Sequence, residues 1–141
     1  MSDSVRQVQF SPGEDAPMSP HLQVWKFTVT MASSISHRIT GVANAAGLLL
    51  LTAWVGSAAL SDSAFGAVSG FLGSWPGRAL IFAFTLSVMF HMLNGIRYLF
   101  WDSSRGIALP TARRTAWAVY LSAPVLTAAI FWAAYAANGG Q

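Results

Sequence analysis

Ser34, His37 and Arg38 lie three and four residues apart in the stretch Ser33-Ser34-Ile35-Ser36-His37-Arg38-Ile39-Thr40-Gly41. On a helix that spacing puts all three on one side. A hydroxyl, an imidazole and a guanidinium converging there donate hydrogen bonds to a carbonyl or a carboxylate. A second reading is open for the same residues: serine caps the helix, and Arg38 reaches along it to lipid headgroups. A second set begins at His91 and continues with Gly95 and Tyr98, at i+4 and i+7 on the same face, followed by Asp102. A neutral imidazole is a good iron ligand, and haem sites commonly use one. Gly95 removes side-chain bulk one turn from His91, which lets a flat cofactor approach. The alternative is an imidazole hydrogen-bonded to a carbonyl or hydroxyl of a neighbouring helix, and position alone leaves both readings standing.

The elements that carry these residues are three apolar stretches, at about 35–60, 79–101 and 115–137. Each is long enough to cross a hydrocarbon core, which takes roughly 20 residues as a helix. Lipid offers no partner to backbone N–H and C=O groups, so the crossing must be helical. The fold class is therefore an all-α membrane protein with three transmembrane helices. Residues 1–32 form a polar N-terminal segment and residues 33–141 the three-helix anchor domain. The intervals Ser61–Gly77 and Asp102–Arg114, rich in Gly, Ser and Pro, read as loops, and Pro124 predicts a local kink in the third span.

Composition agrees. The 141 residues are 54% hydrophobic and only 9% charged, against about 25% charged in soluble domains. That speaks strongly against an ordinary soluble enzyme. With no Cys, there is no disulfide framework, thiolate metal site or cysteine nucleophile. The net charge of +3 comes without a basic run interleaved with aromatics, which speaks against nucleic acid. Arg6, Lys26 and Arg38 lie before or at the first span, and Arg97, Arg105, Arg113 and Arg114 cluster around the second loop. The positive-inside rule then sets the N-terminus inside and the C-terminus outside. The first 30 residues lack an apolar h-region and carry Asp3, Glu14 and Asp15. A bacterial inner (plasma) membrane is the simpler expectation, and the mitochondrial inner membrane the other.

That topology brings both sets together in the inner half of the membrane. His91, nine residues from the inner end of its span, lies about 13 Å deep at 1.5 Å per residue. A deep histidine with shallower Arg, Ser and Tyr around it resembles a haem pocket below a polar head-group site. Gly41, Ala45, Ala46 and Gly47 are expected to let the first helix pack closely on a neighbour, and Trp75, Trp101 and Trp117 to form aromatic belts. His37 is too shallow to share one haem comfortably with His91, so a second subunit is the easier source of the other ligand.

The chain resembles the cytochrome b subunit of succinate dehydrogenase, the larger membrane anchor of respiratory complex II. The resemblance rests on Ser19-Pro20-His21-Leu22-Gln23, on Ser34-Ile35-Ser36-His37-Arg38-Ile39-Thr40-Gly41, and on His91-Met92-Leu93-Asn94-Gly95-Ile96-Arg97 with Trp101-Asp102. It implies that His91 is an axial ligand of haem b, the second coming from the small anchor subunit, with the haem between subunits of a multi-subunit bundle. It implies that Ser34 and Arg38 line the ubiquinone pocket beside the iron–sulfur subunit. His37 and Arg38 are placed near the haem propionates, and Asp102 at the same inner edge. A flavoprotein subunit completes the set of partners, and the chain itself is non-catalytic alone. Three departures stand out: Tyr98 where the family commonly has His, Ala16-Pro17 in place of Arg-Pro, and Ser103-Ser104 after Asp102. The rival readings are a haem b anchor of another membrane oxidoreductase, of fumarate reductase or formate dehydrogenase type, and a haem-free membrane scaffold.

Overall fold

The structure, a computed structural model, describes residues 25–139. The segment holding Ser19–Gln23, Ala16-Pro17 and the early charges lies outside them. Four helices follow in order: α1 (Val29–Leu60), α2 (Asp62–Gly73), α3 (Trp75–Asp102) and α4 (Leu109–Ala137). α1, α3 and α4 are long and apolar enough to cross a membrane. At 1.5 Å per residue all three exceed the roughly 30 Å hydrocarbon core, so each has a turn or more to spare for the headgroup region.

The helix boundaries differ from the sequence expectation in ways that local chemistry explains. α1 begins at Val29 because Thr28 caps it, its hydroxyl accepting from the Met31 amide at 3.4 Å. α4 begins at Leu109 with Pro110 in its first turn, where a missing N–H costs nothing. Arg113 and Arg114 are therefore helical and exposed, not loop residues. Pro124 is held inside α4 without a break in the helix.

The larger correction is α2. The interval expected to be a loop contains a 12-residue helix. Ser61 ends α1 and caps α2, accepting from the Ala64 amide at 3.2 Å, and Asp62 sits in the first turn, where the helix dipole favours a negative charge. Ser74 repeats the device between α2 and α3. Gly66, Gly70 and Gly73 disfavour a helix by propensity. Contacts compensate: Trp54 of α1 donates its indole N–H to Ser69 at 3.1 Å and packs on Phe65.

α3 and α4 share the apolar core, Phe90, Val119 and Ala123 with Leu86, Met89, Leu93 and Tyr120 around them. Elsewhere the helices meet through small and polar residues, as helices in lipid do when no hydrophobic force draws them together. Gly47 is buried against the ring of Phe84. Ser87 donates to Asn44 at 2.7 Å and lies 3.2 Å from the Thr40 carbonyl. Ser36 and Tyr120 join α1 to α4 at 2.9 Å. Many large apolar side chains, Val42, Leu49 and Trp132 among them, face outward, the arrangement of a surface solvated by lipid or by other subunits.

Candidate functional site

α1 and α3 cross so that His37 and His91 come together. Their rings stack at 3.9 Å between centroids and 9° from parallel. The approach is eased by Gly41 on the His91 side, whereas a side chain at Gly95 would stand in ordinary contact with His37. A Cβ on Gly41 would stand 3.2 Å from His91 Cε1, and one on Gly95 would stand 3.9 Å from His37 Nε2. Close packing of the first span at Gly41 and Gly47 is thus borne out, whereas Ala45 and Ala46 are exposed.

The hydrogen bonds of His91 fix its chemistry. Its Nδ1 lies 3.1 Å from the His37 carbonyl and 3.2 Å from the Thr40 hydroxyl. The Thr40 hydroxyl is also within reach of the Ser36 and His37 carbonyls, which accept its proton. A carbonyl only accepts, so the proton of a neutral His91 ring sits on Nδ1, and the Nε2 lone pair is left free. Among the described residues Nε2 takes no hydrogen bond. The two readings open at the sequence level are therefore compatible: one ring nitrogen bonds the neighbouring helix, and the lone pair of the other stays available. His37 cannot be the opposite ligand on the same metal. Two imidazoles stacked at contact distance leave no room for a macrocycle between them. His37 Nε2 is buried and has no partner among the described residues. A buried polar atom without a partner is costly unless a ligand supplies one.

Tyr98 meets His37 ring to ring at 5.1 Å and 88°, a T-shaped contact. Ser34 is half-buried, Arg38 and Asp102 are exposed, and none of the three makes a hydrogen bond among the described residues. The structure thus gathers His37, His91 and Tyr98 into one cluster. Ser34 and Arg38 stand on the same stretch of α1, and Asp102 ends α3.

Beside this cluster lies a polar network that sequence reasoning did not single out. Ser33, and not Ser34, is the fully buried serine. It donates to Asn94 at 2.7 Å, and Arg97 NH1 donates to Ser33 at 2.9 Å and to Asn94 at 2.8 Å. Arg97 is 5% exposed, so it is an interior residue and not part of the inner-edge basic cluster to which it was assigned. Its guanidinium lies 4.1 Å over the Trp101 ring, which gives Trp101 a cation–π role in place of a simple belt position. The available signal was Asn94, a polar side chain inside an apolar span, three residues from both His91 and Arg97.

Comparisons with known proteins give the family. The family model described as succinate dehydrogenase/fumarate reductase transmembrane subunit matches residues 13–130. The chain is 34% identical over 110 residues to the succinate dehydrogenase cytochrome b556 subunit of Paracoccus denitrificans, covering 78% of this chain and 85% of that one. It is 32% identical over 111 residues to the cytochrome b556 subunit of Rickettsia prowazekii, covering 79% and 86%. With the human mitochondrial cytochrome b560 subunit the identity is 38% over 103 residues, 70% of this chain and 59% of that one. A match that takes in both histidines and reaches into the last crossing makes this chain a member of the succinate dehydrogenase/fumarate reductase transmembrane subunit family.

Proposed function

We propose that the chain is the membrane-anchoring cytochrome b subunit of a succinate dehydrogenase, binding haem b and contributing part of a ubiquinone-reduction site. The observation that carries this is the ring of His91, with Nδ1 tied to α1 and Nε2 free. The orphaned His37 Nε2 fits an acid-bearing group, to which it would give a hydrogen-bond partner. His91 Nε2 would hold the iron, and the second ligand would come from a partner, the small anchor subunit. His37 and Arg38 would give donors to the propionates, with Tyr98 as the neighbouring wall. Haem b, when bound, supplies a one-electron redox centre.

Ser34 and Arg38 would bind and orient the quinone. A hydroxyl and a guanidinium donate to quinone oxygens, and the fixed charge of Arg38 favours the negative charge that builds there as electrons arrive. Asp102, exposed at the end of α3, would stand at the same inner edge. The chain lacks Cys and so carries no cluster of its own. The iron–sulfur and flavoprotein subunits would therefore dock at that edge, with the N-terminus on the same side. The setting would be a bacterial inner membrane.

The test is purification of the assembly from membranes in mild detergent, identification of the companion chains, and a reduced-minus-oxidised spectrum. A b-type spectrum that disappears in His91→Ala, with the companion chains retained, supports the proposal. A spectrum unchanged by His91→Ala overturns the ligand assignment, and an assembly without haem leaves a bare scaffold.

A further inference from the structure

A cavity of about 330 Å³ opens between α3 and α4, on the side of α3 turned away from His91. Residues 93, 97, 100 and 101 share that side by helical spacing, whereas 91, 95 and 98 share the opposite one. The wall is mostly apolar, with Leu93, Phe100 and Val119 prominent in it. Two arginines also line it: Arg97 from within α3, and Arg105 from the turn between the helices. No lining residue is acidic.

Arg97 makes this more than an apolar groove. NH1 is engaged toward α1 by Ser33 and Asn94. Nε and NH2 are buried and have no hydrogen-bond partner among the described residues. A guanidinium that is 5% exposed, stacked on Trp101 but with two donor nitrogens unsatisfied, is costly to bury, and a nearby anion offsets that cost. Arg105 adds a second positive charge at the same cavity. The cavity stands near the end of α3, five residues or about 8 Å from the helix terminus at 1.5 Å per residue. That is the depth at which headgroups meet acyl chains.

We propose that this cavity binds an anionic phospholipid, its phosphate held by Arg105 and the field of Arg97, and the start of its acyl chain against Leu93, Phe100 and Val119. Charge complementarity selects the occupant: paired arginines without an acid select phosphate, and the apolar wall selects a phosphate that carries a hydrocarbon chain. The volume suits a headgroup phosphate with the first part of a chain. None of Ser34, His37, Arg38 and His91 lines the cavity, so its test is read apart from the haem and quinone assignments.

The experiment titrates the delipidated assembly with phosphatidylglycerol, phosphatidylcholine or inorganic phosphate and counts bound molecules by native mass spectrometry. Two variants are used: Arg105→Gln removes the exposed charge, and Ser122→Leu fills the cavity from α4, whose Ser122 also lines it. The expected result is that phosphatidylglycerol binds about tenfold more tightly than phosphatidylcholine. Each variant should remove that preference while the haem spectrum stays unchanged. Equal binding of the two lipids, equal binding by parent and variants, or displacement of phosphatidylglycerol by inorganic phosphate at equal concentration overturns the proposal. Should Arg105→Gln fail to assemble, Ser122→Leu decides alone, since it leaves both charges in place.

Discussion

The His37 carbonyl accepts the proton of His91 Nδ1 at 3.1 Å while the two imidazoles lie face to face at 3.9 Å. His37 therefore holds His91 through its backbone and covers it with its side chain. The two contributions are separable by mutation. In His37→Ala the carbonyl remains, so His91 keeps its tautomer and its free Nε2. We expect His37→Ala to retain a b-type spectrum, with haem retention weakened by about tenfold, as for a supporting residue, and with a shifted midpoint potential. His91→Ala should lose the spectrum. A His37→Ala assembly with no haem at all would show that the His37 ring is itself a ligand.

Arg38 is exposed and Arg97 is buried, although both stand toward the same end of the bundle. Only Arg38 is free to meet a substrate. Arg38→Ala is expected to lower succinate-dependent quinone reduction about 100- to 1,000-fold, the scale for loss of a donor at an oxygen that gains negative charge. Succinate oxidation with a soluble dye should survive, because that reaction does not pass through the anchor. Equal loss of both activities would assign Arg38 to assembly.

The Ser33–Asn94–Arg97 network predicts a graded loss of stability. In Ser33→Ala the Arg97 NH1 bond to Asn94 persists at 2.8 Å, so the cost should be near the roughly 0.6–1.7 kcal/mol measured for hydrogen bonds between membrane helices. Asn94→Ala removes an acceptor from a buried cation and should cost about 2–3 kcal/mol. Thermal unfolding of the purified assembly checks the order. Equal midpoints for the two variants would mean that the network is already broken by water or by a partner chain.

The same network shows what the sequence could and could not convey. Three crossings were legible, because lipid demands long uncharged helices and little else satisfies the pattern. The pairing of His37 with His91 followed in part, since the inner ends of α1 and α3 must lie on one side. Which serine turns inward was not legible. Ser33 and Ser34 differ by 100° around α1, and only the position of Asn94 on another helix decides between them. Arg97 reads as an edge charge because its distance from the helix end fits snorkelling as well as burial; its partner Ser33 lies 64 positions away in the chain. α2 was hidden by its own glycines, its stability coming from Trp54 and the serine caps.

Gly77 provides the test of how α2 is held. It is buried in the first turn of α3, and a Cβ added there would run into the Phe71 carbonyl and the Leu72 backbone at the end of α2. Those are main-chain atoms, so no rotamer change relieves the clash, and α2 must move away from α3. Gly47 makes a useful contrast, because its obstacle is the Phe84 ring, a side chain that can turn. We expect Gly77→Ala to cost about 1–3 kcal/mol, the range for overpacking, and to expose the α2–α3 junction to proteolysis. Gly47→Ala should fall at the low end of that range with the junction still protected. Both variants should keep the b-type spectrum, since neither residue approaches His37 or His91. If Gly77→Ala left the junction as resistant as in the parent, α2 would not be packed against α3 through this glycine. The helix would then be held by Trp54 and the Ser61 cap alone.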